Sequence, residues 1–527
     1  MGNAQSSQIS SGYAAALARN ALTQFNTIMT RVDKPVNPQL KDPPYQDIVS
    51  IVQEIPSDKA DVIIIGSGIA AAAVAYSVLA EYKRINKPRR VLVIEARDLC
   101  AGATGRGNGL LNCAPHEVFH RLRASVGLNR AAALVRFQLA NIKVLDELCR
   151  KMKWDIAEYR DVDHVEFYFS DRDRDLAFRK VKLLSQWVPE FEIVTYFEQQ
   201  AQSRFKTNRS VKGAISYDAA VIWPFGFVTS VWNHLLREYK DSLYIMTNTR
   251  ANSIETLGRD GHGYIVRTTR GKFRCNHLVH ATNAFAPSLV RGLRNKMTGI
   301  LGTATALRPG NSFNNSDMAH GQSWSIAHGK TCDYAMQRPI GLDGPKDIVV
   351  SGGFSHATGH GTSMIGGRET DSPSGRVIET WSGVLSATGD ILPFVGHLDP
   401  SLTGRSPKPR RNKTKKNDYK YYGEWITAGF GGDGLTWAWL SGIALGAMIV
   451  GTENFDVKQE TGRPGGTVAK WFPKELLPTL ERFDERTFGD IALRFVWSIL
   501  GNQPEGSDDG GHSADGIHQA NVDNIML

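Results

Sequence analysis

The sequence lacks any apolar run long enough to cross a bilayer. A membrane helix takes roughly 20 consecutive apolar residues. The longest candidate, Trp437 to Val450, is shorter and contains Ser441 and two glycines, so it reads as a buried helix. No charged segment followed by an apolar core opens the N-terminus, so no secretory signal is visible. The chain is poor in cysteine. Its five, Cys100, Cys113, Cys149, Cys275 and Cys332, are odd in number and form no CxxC pair. That argues against a disulfide framework and a zinc site, predicts no metal, and points to a reducing, cytoplasmic compartment. Internal repeats are absent as well.

Net positive charge is scarce outside one stretch. Of the net +9, Arg405 to Lys420 (RSPKPRRNKTKKNDYK) carries +7, with eight basic residues and one acidic, leaving +2 for the rest of the chain. The stretch lacks the interleaved aromatics that stack on bases, so no specific nucleic-acid partner is expected. It reads as a solvated insertion at 403–420 or as a contact for an anionic membrane surface.

What is present is a large globular chain. Its 527 residues are 41% hydrophobic and 9% aromatic, enough for two or three domains. Residues 1–57 precede the first core strand. Met1, Gly2 and Ser6 fit the N-myristoylation pattern. Leu17, Leu22, Phe25, Ile28, Met29 and Val32 recur at helical spacing and predict an amphipathic helix, packed on the protein or lying on a membrane. A Pro-rich connector follows from Pro35 to Pro44. A C-terminal helical segment is expected over 456–500, and the polar, glycine-rich residues 501–527 read as a disordered tail.

DVIIIGSGIAAAAVAYSVLAEY, from Asp61, joins a buried strand to an Ala-rich helix through Gly66, Gly68 and Ala71. The first glycine makes the tight turn. The second lets the backbone touch a pyrophosphate at the helix N-terminus, beside Ile69, and Ala71 permits close helix–strand packing. The second strand, VLVIEA, ends on Glu95, whose carboxylate accepts from a ribose diol and repels a 2′-phosphate. Ala96 and Arg97 follow it. The pattern does not separate NAD from FAD. A second small-residue loop, AGATGRGNGLLNC, follows at once, and FAD needs such further backbone contact. Ala103, Thr104, Arg106, Asn108 and Gly109 line the expected path, with Arg106 near negative charge. In AGFGGDGLTWAW, four glycines within six residues precede the buried helix, which predicts a loop where a ligand approaches the backbone.

Taken in order, these blocks, with AAVIWPFGFVTSVWNHLL, HLVHATNAFAP, DYAMQRP and WSGVLSATGDILPFVG, resemble the FAD-dependent oxidoreductases of the D-amino-acid oxidase/sarcosine oxidase type, fungal members in particular, over about residues 57–480. The resemblance implies an α/β fold, with a Rossmann-type FAD-binding domain (58–115, 205–300, 376–455) interleaved with an antiparallel-sheet substrate domain (116–204, 301–375). It implies further FAD contacts at Leu110, Ala251, Ala281, Thr282, Asn283, Asp390, Gly429, Gly432, Gly434 and Leu435. The second helix would bring its N-terminus to the flavin pyrimidine ring. The implied activity is oxidation of a C–N bond of an amine or amino acid, with O2 or another acceptor. Tyr334, Gln337, Arg338, His356 and His360 are candidates for the substrate side, each with a structural role as the alternative; Arg308 or Arg338 could pair with a substrate carboxylate.

Two departures stand out. Relatives read ATGRNGGH where this chain has Ala103 to Leu110 with Asn and Gly exchanged and Leu110 for His. Asp433 replaces His, Asn or Glu beside the flavin. Cys113 could lie near the flavin or be an inert buried thiol. A membrane-associated adaptor with little turnover and an NAD-dependent dehydrogenase remain as alternatives.

Overall fold

The computed structural model describes residues 43–257, 263–308, 321–328, 331–338, 347–352, 377–405 and 422–484. Gly2 and the N-terminal helix, His356, His360, most of the basic stretch and the tail lie outside them.

Short, fully apolar strands form the first sheet. Val62–Ile65 and Val91–Ile94 are buried throughout, as strands covered on both faces must be. They lie in a six-stranded sheet ordered Phe394–His397, Gly423–Ala428, His277–His280, Val62–Ile65, Val91–Ile94, Leu243–Met246. All neighbours are parallel except the Phe394–His397 edge strand. A separate three-stranded antiparallel sheet, Ala251–Thr256, Tyr264–Thr268 and Gly271–Cys275, feeds the buried His277–His280 strand.

Two helices follow parallel strands of the first sheet. Ile69–Arg84 follows Val62–Ile65, and Gly434–Val450 follows Gly423–Ala428. Both therefore begin at the same sheet edge, where α/β folds bind ligands. They pack unusually close. A Cβ on Gly442 would lie 2.5 Å from Ala73 Cβ, and one on Gly446 would lie 2.4 Å from Ser77 Cβ. Ser77 Oγ donates to the Ile443 carbonyl at 2.8 Å. Glycine costs each site about 1 kcal/mol of helix propensity relative to alanine; here it allows the backbones to touch.

The second sheet has nine strands. It is ordered Val377–Thr388, Met297–Leu307, Ile348–Ser351, Thr331–Gln337, Gln322–His328, Arg160–Tyr168, Gly213–Val221, Leu110–Leu111, with Val194–Phe197 also paired to Gly213–Val221. The domain boundaries expected from sequence shift accordingly. Gly213–Val221 and Val377–Thr388 were assigned to FAD-binding segments, but they hydrogen-bond within this sheet. Their alternation with small and apolar residues does not distinguish the sheets; only their partners do. Among the described residues, no helix is long and apolar enough to cross a membrane.

Candidate active site

The two helix starts open onto one cavity of about 1370 Å3. This exceeds the ~300–1,000 Å3 of an ordinary ligand pocket. Gly66 to Ala70 line one part, and Phe430 to Thr436 another. Neither Gly68 nor Asp433 places a side chain on the first-turn N–H groups of the helix that it precedes. Both helix ends thus keep donors and partial positive charge for a ligand.

The glycine turn, Thr104 and Glu95 meet at one end of the cavity. Gly66 has φ +109°, and a Cβ there would meet the Ala281 carbonyl at 2.5 Å, so the turn requires glycine. Gly68 abuts Thr104, whose Oγ1 accepts from Ile69 N at 3.2 Å. Glu95 accepts from Ser67 Oγ at 2.7 Å and Arg97 N at 3.0 Å. These bonds fix its carboxylate at the cavity wall and leave lone pairs for a diol. Ala96, Arg97, Ala103, Leu110, Ala251, Ala281 and Thr282 also line the cavity. Asn283 does so too. Its Oδ1 accepts from Ser386 Oγ at 2.6 Å and Gly429 N at 3.0 Å, tying three chain segments together.

Other residues differ in role from the expectation. Arg106 lines the cavity, but its guanidinium donates to the carbonyls of Ala101 (3.1 Å) and Ser382 (2.9 Å), fastening the small-residue loop to the second sheet. Burial, then nearby Arg97, lowers its pKa to about 10. Asn108 lines the cavity while donating to Ser351 Oγ at 2.6 Å. Gly109 is needed because its Cβ would meet the Ile222 carbonyl at 2.2 Å; neither it nor Gly429 is part of the cavity lining. Ala71 is a wholly buried packing residue. Asp390 pairs with Arg482 at 2.7 and 3.0 Å and is not part of the cavity lining. Gly432, Gly434 and Leu435 line the cavity, and a Cβ on Gly432 would meet nothing within 4 Å.

Of the substrate-side candidates, Tyr334 alone reaches the cavity among the described residues. Gln337 lies three positions on in the same strand, hence on the other face, and is wholly buried. Arg338 is held by Glu158 at 2.7 Å and stacks over Trp223, and Arg308 is not part of the lining. Cys113 lines the cavity as a buried thiol whose pKa is pushed up by burial, which suits an inert role.

Several lining residues escaped the sequence reading. Strand Arg160–Tyr168 places His164, Glu166 and Tyr168 at alternate, buried positions. That period-2 polar stripe was a legible signal. Glu166 accepts from Tyr168 (2.9 Å) and lies 2.6 Å from the Tyr217 hydroxyl. Helix Pro115–Val126 contributes Glu117 and Arg121. Burial raises the Glu117 pKa, but His116 and then Lys180, bonded to it at 2.8 and 2.9 Å, bring the net shift below the usual value. The Arg121 Nε is buried with no hydrogen-bond partner. Burial raises the Asp433 carboxyl, against the pull of Arg121, which favours its neutral form and eases the conflict with an anionic reduced flavin. Buried Gln138 and Asn141 fix the second helix start, donating to Thr436 Oγ1 (2.9 Å) and the Leu435 carbonyl (2.7 Å).

The cavity therefore fits FAD: two helix starts in its lining would meet the pyrophosphate and flavin ends, and Glu95 would take a ribose. Comparison with known proteins agrees. Residues 61–448 match the DAO family model, "FAD dependent oxidoreductase". A search of curated proteins gave no match. Among solved structures, the chain is similar to glycine oxidase from Geobacillus kaustophilus (16% identity, TM-score 0.53, covering 75% of this chain and 95% of that one). It is similar to L-amino acid deaminase from Proteus vulgaris (16%, 0.54, 79% and 96%) and L-proline dehydrogenase from P. horikoshii (16%, 0.51, 74% and 93%). The family match sets aside the NAD-dependent and turnover-free alternatives. The chain belongs to the DAO family of FAD-dependent oxidoreductases.

Proposed function

We propose that this enzyme oxidises a C–N bond of a small amine or amino acid, with O2 as the final acceptor. Bound FAD supplies the hydride acceptor. The chain's residues bind, orient and exclude water. The observation that carries the reading is that the cavity lining also includes Glu117, Arg121, Glu166, Tyr168, Lys180 and Tyr334, from two helices and two strands of the second sheet, which form a compartment beyond the helix starts. Such a compartment suits a polar substrate better than a second dinucleotide half. The Arg121 guanidinium, whose buried Nε has no hydrogen-bond partner, suits an anionic substituent such as a carboxylate. Tyr334, whose pKa burial raises well above the usual value, acts as a neutral hydroxyl that orients the ligand.

The test is an anaerobic panel of amines and amino acids against FAD-loaded enzyme. Bleaching of the flavin by at least one member, with peroxide released on admitting air, is the expected result. No bleaching across the panel would reject the amine reading, and bleaching without peroxide would reject O2. The Gly2 pattern and the basic stretch support association with an anionic membrane surface. Gly2→Ala should then abolish partitioning into the membrane fraction.

A further inference from the structure

The far compartment contains a carboxylate that no Lys or Arg pairs with among the described residues. Glu166 is only 7% exposed and lines the cavity. Its hydrogen-bond donors are the hydroxyls of Tyr168 and Tyr217. Tyr217 is also 2.8 Å from Asn112 Oδ1, so its single proton serves one acceptor at a time. The neighbouring cation is already engaged: Lys180 bonds both oxygens of Glu117. The basic group nearest to Glu166 is His116, wholly buried, with Nε2 3.7 Å from Glu166 and 3.6 Å from Glu117, and with neither ring nitrogen hydrogen-bonded. Among the described residues, no Lys or Arg pairs with Glu166. A buried carboxylate is costly unless a counter-charge meets it. His116 is shared with Glu117, and Glu166 lines the ligand cavity, so a cationic ligand can supply that charge.

We propose that Glu166 selects substrates bearing a second, non-reacting basic group, such as a diamine or a basic amino acid. The inference rests on the amine-oxidising reading above. The reacting nitrogen is the wrong occupant for Glu166. Hydride loss from the adjacent carbon needs the nitrogen lone pair, whereas a buried carboxylate favours the protonated ammonium. A remote ammonium or guanidinium has no such conflict. It gains a charge-assisted bond in a site screened from water, and the tyrosine hydroxyls hold the carboxylate in place for it. Glu166 is thus a specificity residue, with its effect on substrate binding and not on the chemical step.

The experiment compares pairs that differ by one basic group, 1,5-diaminopentane with n-pentylamine and lysine with norleucine. Binding to FAD-loaded enzyme is measured by anaerobic calorimetry, and KM and kcat by flavin reduction. For at least one pair, the basic member should bind about 30-fold more tightly or better, the scale of a buried charge pair. Glu166→Gln should remove most of that preference through KM. Should that variant not retain FAD, Glu166→Asp, which withdraws the charge by one methylene, should lower the preference several-fold. Equal binding within both pairs by the wild type, or a preference that survives Glu166→Gln, overturns the inference. If both members of a pair reduce the flavin equally well, the amine reading stands and only the role of Glu166 falls. If none reduces it, the amine reading falls, and calorimetry alone decides whether Glu166 selects cations.

Discussion

The two ends of the cavity recognise ligands by different means. The dinucleotide end relies on backbone, with a glycine turn at Gly66 and two helix starts, and Glu95, Arg97 and Arg106 are among the charged side chains beside them. The far end uses side chains from four separate elements: Glu117 and Arg121 from one helix, Lys180 from a second, Glu166 and Tyr168 from a strand, and Tyr334 from another strand. Backbone recognition demands small residues at fixed spacing and tolerates little change. Side-chain recognition can be altered one residue at a time, which is how one scaffold can serve different substrates.

The sharpest way to break this contrast is at Gly66. Gly66→Val should abolish FAD retention, measured as flavin per purified chain, because its Cβ would meet the Ala281 carbonyl at a backbone angle that valine rarely adopts. Retention near the wild-type level would show that the turn is not backbone-limited.

The next test is acid. Burial lowers the pKa of His164 and of His277 to about 3, with His116 and His397 respectively as the second cause. Their folded-state pKa values lie below the unfolded value of about 6.5. The unfolded chain therefore binds more protons below that pH, and stability falls as pH drops from 6.5 towards 3. Two such groups give a slope of up to about 2.7 kcal/mol per pH unit. Denaturant titrations between pH 7 and 5 should show the decline, and His277→Asn should flatten it.

Gly446→Ala probes the helix contact that joins the two halves of the backbone site. Its new methyl would press on Ser77, so a stability loss of about 1–3 kcal/mol is expected, read by denaturant unfolding. A neutral or stabilising result would mean that the helices can move apart without cost. Smallest is Glu95→Ala. It removes a ribose acceptor and strands Ser67 and Arg97 N–H, so FAD affinity should fall about tenfold, read by cofactor titration.

This contrast also explains what could be read in advance. The Gly66–Gly68–Ala71 spacing, Glu95 and the glycine cluster before Gly434 each follow from what backbone contact requires, so sequence exposes them. Arg106 looked like an anion ligand, but its guanidinium bonds the Ala101 carbonyl of its own loop and the Ser382 carbonyl far along the chain. Asp390 and Arg338 were likewise taken by Arg482 and Glu158. A charged side chain's partner is set by tertiary packing, which local spacing does not encode. Gln337 is the exception: strand period alone places it on the opposite face from Tyr334.

The contact between Ile69–Arg84 and Gly434–Val450 has a consequence for biosynthesis. One helix is made early and its partner near the end of the described chain, with the whole second sheet between them. A chain emerging from the ribosome, N-terminal part first, completes its grip on the cofactor only once the late helix is free. Until then the apolar face around Ala70, Ala73 and Ser77 stays uncovered, and premature termination before Gly434 yields a product that has the opening nucleotide motif but no closed site.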